Sequence, residues 1–183
     1  MGAGGIGVML LRVGIAGAVA LLLYLLLRRR TGRFSAASLA GLLWVLACLA
    51  VLTLTPAYEV PAVVPADGRS STCSWDYGGP SPDGFWIFGG GQRLLNVLVF
   101  VPAGALVVLA VARWRAAWVL APLGLLGLVG YSVLIELTQL ALARIDRACD
   151  VTDVVDNATG AGLGFLVGLG VAAVLRPWRR SLG

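Results

Sequence analysis

The chain has 183 residues, 59% of them hydrophobic and only 13% charged, a balance too apolar for a water-soluble domain. Its net charge of +5 rests on 14 basic residues, all arginine, against nine acids, and it contains no histidine. Histidine acid–base chemistry and histidine metal ligation are thereby excluded, and three scattered cysteines argue against a thiolate metal site. The arginines follow a membrane pattern, so no nucleic-acid partner is expected.

A helix needs about 20 apolar residues to cross the hydrocarbon core. Five segments meet that length, roughly 6–27, 36–55, 94–112, 117–140 and 154–175. In lipid every backbone group must be bonded internally, so these segments are expected to be helical. Runs such as Leu21-Leu22-Leu23 and Val107-Val108-Leu109 do not alternate as barrel strands would. The expected fold is an all-α, polytopic integral membrane bundle of five transmembrane helices, forming a single membrane domain.

The first span carries Gly14 and Gly17, which permit close helix contact, and Arg12, whose head is expected to snorkel to the outer headgroups. Its apolar run is too long for a cleaved leader, and Arg28-Arg29-Arg30 after it reads as a stop-transfer flank. Tyr24 and, in the second span, Trp44 are expected to face lipid or the interface, and Cys48 to be a small packing residue. Arg33, Arg113 with Arg115, and Arg176 with Arg179-Arg180 continue the positive stations after spans one, three and five. All nine acids fall at the opposite ends of the spans. The positive-inside rule then places the N-terminus outside and the C-terminus in the cytoplasm.

Residues 56–93 form the only sizeable loop, with five prolines, many glycines, four acids, Arg69 and Arg93. Such a stretch builds no core of its own and reads as an irregular extracytoplasmic cap, with Phe85-Trp86-Ile87-Phe88 dipping into the interface. Gly89-Gly90-Gly91 is a hinge, since no GxxxxGK[ST] pattern surrounds it. Cys73 in this cap and Cys149 before span five both fall on the outer, oxidising side, where a disulfide would persist and tie the cap to span five. Two thiols on one face need not be adjacent, so the pairing stays open at this point.

Spans three to five carry the polar chemistry. Asn96 begins span three, and Pro102 should kink it by removing a donor to the carbonyl of Leu98. In span four, Ser132, Glu136 and Gln139 share one helical stripe, with Glu136 deep enough to need a partner, a proton or water. Arg144 and Arg147 follow, and then Asp150, Asp153 and Asn157 at helical spacing, with Asp156 beside them. Asp150 and Asp153 suit a helix N-terminus as caps and dipole partners, but capping does not account for polar positions that continue into the span. Below them Gly160, Gly164 and Gly168 form a GxxxGxxxG stripe for packing against span three or four. Glu136 with Arg144 or Arg147, and Asp150 or Asp153 with the other arginine, would make either an ion-paired plug or a binding site. In the second case the arginines would take phosphate or carboxylate, and the acids amines, hydroxyls or a hard cation.

These residues resemble the VanZ-like family of small bacterial membrane proteins. The likeness is carried by Asn96 with Phe100, Pro102 and Gly104; by Ser132, Glu136 and Gln139; and by Arg147, Asp150, Asp153, Asn157, Gly160 and Gly164, over roughly 94–168. Asp156, Cys73 and Cys149 lie outside the shared pattern. The resemblance implies a multi-pass protein of the bacterial cytoplasmic membrane and an accessory role in the cell envelope. Its ligand would be a membrane lipid, a lipid-linked envelope precursor or a glycopeptide-related group, and its effect lowered susceptibility to teicoplanin-type glycopeptides. Asn96, Ser132, Glu136, Gln139, Arg144, Arg147, Asp150, Asp153 and Asn157 are the candidate ligand-binding residues. The alternative is an enzyme acting on a prenyl phosphate or diphosphate lipid, with Mg²⁺ held by Asp150, Asp153 and Asp156. A transporter is disfavoured, because there are no internal repeats and no polar stripe runs through a whole span. The orientation is testable directly: reporter fusions at Arg115 and Leu182 should both report cytoplasm and a fusion near Gly79 the exterior, and an exterior signal at Leu182 would overturn it.

Overall fold

The computed structural model of the chain describes residues 5–55, 72–77, 91–142 and 149–176. It contains five helices, α1 (Ile6–Thr31), α2 (Arg33–Leu54), α3 (Gly91–Val111), α4 (Ala117–Leu142) and α5 (Val151–Leu175), and no strand among the described residues. All five are long and apolar enough to cross a membrane. The shortest, 21 residues, reaches about 32 Å at the rise of an α-helix, matching the hydrocarbon thickness.

Several helix ends differ from the sequence reading, with physical causes. α3 starts at Gly91, so Arg93 belongs to its first turn and not to the loop. α5 starts at Val151 because Asp150, with extended backbone, caps it by accepting from the Thr152 amide at 2.8 Å. α1 and α2 meet at Gly32, whose φ of 79° lies in the left-handed region that only glycine enters without strain. Pro102 lies within α3, which runs through it as one helix.

The arginine stations come together at one end. Arg113, in the tight turn between α3 and α4, donates from Nη1 to the carbonyl oxygen of Thr31, which joins that turn to the α1–α2 turn. α5 runs parallel to α3 and delivers Arg176 to the same end. Glu136, Asp150, Asp153 and Asp156 therefore lie toward the opposite, acidic end.

The closest packing in the bundle is between α3 and α5. A Cβ placed on Gly160 would sit on the carbonyl oxygen of Val97, and one on Gly164 on that of Val101, inside any van der Waals distance. On Gly168 it would lie 2.7 Å from the carbonyl oxygen of Ala105. Gly104 returns the contact from α3, facing the carbonyl of Ala161. The stripe thus packs on span three, and backbones this close gain dispersion and Cα–H···O contacts that lipid cannot replace. Around this seam Leu49, Phe100, Ala103, Val107, Leu128, Ile135 and Ala161 form the core.

α1 is peripheral. Ala20 is its one buried residue, and Leu10, Leu11, Ile15 and Leu22 are exposed, as a lipid-facing helix allows. It leans on α2 through Trp44, whose indole donates to the carbonyl of Val13 at 3.3 Å and packs on Gly17. Arg12 donates to the hydroxyl of Thr55 at 2.8 Å, so its head is tied to the end of α2.

These contacts make the glycines unequal. Gly164→Ala should cost about 1–3 kcal/mol through forced separation of α3 and α5. Gly170→Ala should be nearly silent, because nothing lies within 4 Å of the added carbon. Equal thermal midpoints for both variants in detergent would refute close α3–α5 contact.

Candidate functional site

At the acidic end the bundle encloses a polar layer, built mainly by the first turns of α3 and α5 and the last turns of α4. Deepest is a bond between α4 and α5, in which the Asn157 amide donates to the Ser132 hydroxyl at 2.9 Å with both groups buried. Farther out, Asn96 on α3 donates to the Asp153 carboxylate at 2.7 Å. Glu136, buried on α4, accepts from the backbone amide of Asp150 at 3.2 Å. Gln139 turns toward α2 and donates to the carbonyl of Thr53 at 3.1 Å. The stripe of Ser132, Glu136 and Gln139 therefore serves two neighbours, with the first two engaging α5 and the last α2.

The layer also holds a buried ion pair that involves Arg93, a residue outside the candidate set. Its Nη2 and Nε reach the two carboxylate oxygens of Asp156 at 2.7 and 2.9 Å, with side-chain exposures of 2% and 0%. A bidentate guanidinium–carboxylate pair is both strong and directional, and burial removes the competing water. Nη2 also donates to the Tyr77 hydroxyl at 2.9 Å, while the guanidinium carbon lies 5.0 Å from the Tyr77 ring centroid. One signal in the sequence could have exposed the pair. Asp156 stands four residues before Gly160, on the glycine stripe itself, so an acid there must face whatever helix the glycines touch.

Tyr77 is delivered by a short segment clamped to the head of α5. Cys73 and Cys149 are joined by a disulfide, with Cα atoms 4.6 Å apart. The Ser74 amide donates to the carbonyl of Cys149 at 2.8 Å, and the Val151 amide to the carbonyl of Ser74 at 3.0 Å. Residues 72–77 thus lie across the mouth of the polar layer as part of the expected cap.

Among the candidates, Asn96, Ser132, Glu136, Asp150, Asp153 and Asn157 come together in this layer, with Gln139 at its α2 side. Arg144 and Arg147 lie outside the described residues, and so do the ion pairs expected of them with Glu136, Asp150 or Asp153. The proposed Mg²⁺ set does not fit. Both oxygens of Asp156 are engaged by Arg93, Asp150 caps α5, and Asp153 faces Asn96. Three carboxylates committed to three different partners do not converge on one ion, and among the described residues no group of three His, Cys, Asp or Glu could hold a metal.

The family model described as VanZ/LLP1 matches residues 15–173. The chain belongs to this family. Membership makes it a multi-pass membrane protein of a family linked to glycopeptide resistance. No curated protein matches the chain, and no solved structure does. The match includes all or most of each of the five helices and all three cysteines, whereas the motif residues seen in the sequence reach only from span three to span five.

The buried pair carries its own test. Asp156→Ala should leave the Arg93 charge buried and uncompensated, costing about 3–5 kcal/mol. The double variant Arg93→Met with Asp156→Leu should recover most of that loss, because two apolar side chains need no partner. If the double variant is as unstable as the single one in thermal unfolding, the pair is not the buried contact described.

Proposed function

We propose that the polar layer is a ligand site open to the outer leaflet, and that the protein is an accessory of the bacterial cell envelope. There it binds a lipid-linked or glycopeptide-related group and lowers susceptibility to teicoplanin-type glycopeptides. The observation that carries this reading is the layer itself: Asn96, Ser132, Glu136, Asp153 and Asn157, drawn from three spanning helices, gathered at the end away from the arginine clusters. Polar and ionisable groups at membrane depth are costly, and packing alone would be served better by apolar side chains. The disulfide over the mouth supports an outward placement, because such bonds persist in oxidising compartments. Family membership supplies the link to glycopeptides.

In this reading the carboxylates of Glu136 and Asp153 receive hydroxyl, amide or ammonium groups of the ligand, while the Asn96 and Asn157 amides orient it. Glu136→Gln keeps the shape and removes the charge. A hydrogen bond to a charged group is worth about 1.5–3 kcal/mol, so the substitution should weaken binding about tenfold or more. The test is expression of the wild type, Glu136→Gln and Asn157→Leu in a teicoplanin-susceptible host, with membrane abundance measured in parallel. The wild type should raise the inhibitory concentration and both variants should lose that protection at equal abundance. Full protection by both variants would remove the polar layer from the function, and a folded wild type without protection would remove the glycopeptide link.

A further inference from the structure

We infer that the groove between α1 and α2 holds one acyl chain of an anionic phospholipid, whose phosphate headgroup rests on Arg28 and Arg33. The site lies at the arginine end of the bundle and does not depend on how the polar layer is read.

α1 and α2 fold back on each other at Gly32 and face one another through small side chains. Gly17 and Ala20 on α1 stand opposite Ala37, Ala40 and Gly41 on α2, which leaves an open, apolar groove of about 420 Å³. Trp44 closes one end, where its indole lies against Gly17. The other end runs past Tyr24 toward the turn. Arg28 lies one helical turn beyond Tyr24 on the same face of α1, and Arg33 one turn before Ala37 on the same face of α2. From Gly17 to Arg28, and from Trp44 to Arg33, each helix covers about 16 Å by its rise, close to half of a hydrocarbon core about 30 Å thick. The groove therefore reaches from the headgroups to the middle of the bilayer, the depth of one leaflet.

The charge at its open end selects the occupant. Arg28 and Arg33 are exposed, and among the described residues neither forms an ion pair or a hydrogen bond. The turns 28–33 and 112–116 carry six arginines and no acid, and no acid follows Asp156 in the chain. A second copy in the same orientation would bring only more arginine to this level, and like charges set against each other disfavour that contact. A spanning helix would also run past Trp44, whereas a single acyl chain ends there. A phosphate diester supplies the missing countercharge, and two guanidinium forks suit its oxygens. Tyr24, at the rim, stands where interfacial tyrosines meet the headgroups.

Native mass spectrometry of the full-length protein released from detergent micelles tests the site. The probes are phosphatidylglycerol, phosphatidylcholine with the same acyl chains, and inorganic phosphate. The wild type should retain phosphatidylglycerol in preference to phosphatidylcholine, and inorganic phosphate should not displace it. Arg28→Gln with Arg33→Gln should weaken retention about tenfold or more, as two arginines at a lipid surface imply. Ala37→Leu keeps every charge and fills the groove from an exposed position, so it should weaken retention to a similar degree. Arg28, Arg33 and Ala37 are all exposed, so these variants leave the core untouched. Arg115→Gln, at the same end but off the groove, should behave as the wild type. Equal retention of the two lipids overturns the inference, as does unchanged retention in either groove variant or an equal loss in Arg115→Gln. Displacement by inorganic phosphate overturns the acyl-chain seat. A wild-type dimer that Ala37→Leu dissociates overturns the lipid in favour of a second copy.

Discussion

The bidentate pair between Arg93 and Asp156 sets the register on which the rest of the bundle depends. The partners are 63 residues apart, and the same offset joins Val97 to Gly160, Val101 to Gly164 and Ala105 to Gly168. The ion pair is thus the first rung of a ladder that repeats every four residues along two parallel helices. The glycine rungs bring the backbones into contact, but they are nearly alike, and sliding by one turn would still set Gly164 against a small or β-branched residue, Ala105 or Val97. Only the top rung is unique. A slip there would bury a lone guanidinium and a lone carboxylate in a medium that solvates neither. Close packing supplies attraction and the buried pair supplies register, the role in which buried polar groups are best attested.

A second row of contacts follows from that register. Asn96 meets Asp153 and Gly104 meets Ala161, both at an offset of 57. The two rows make the α3–α5 seam polar at the acidic end and small-residue below it. α4 joins through Ser132 and Glu136 and α2 through Thr53, so the bonds that satisfy the buried polar groups also fasten the other core helices to the seam. This explains how a polar layer survives at membrane depth: each described member has a partner on another element. It also explains the failure of the Mg²⁺ arrangement, since the register that gives Asp156 to Arg93 takes it away from Asp150 and Asp153.

Hydropathy and charge in the one-dimensional chain determined a good deal. Five long apolar runs dictated five helices, because lipid offers no other partner for the backbone. The clustering of arginines and acids dictated which helix ends lie together, and the spacing of Gly160, Gly164 and Gly168 announced a close helix contact. Ser132, Glu136, Asp153 and Asn157 were legible as a site because polar groups inside such runs require a reason. Their partners were not legible. Arg93 read as a loop residue because the run of apolar residues begins after it, and a helix end is marked by hydrogen bonding rather than by hydropathy. Which helix the glycines touch, whether Cys73 reaches Cys149, and that Tyr77 covers Arg93 depend on the axial register and azimuth of separate helices. Those quantities are set by contacts between residues as much as 86 positions apart, and the period of a single segment carries no record of them. The sequence alone decided what crosses the membrane and which end is acidic; the tertiary packing decided that Asp156 belongs to an arginine and not to a metal.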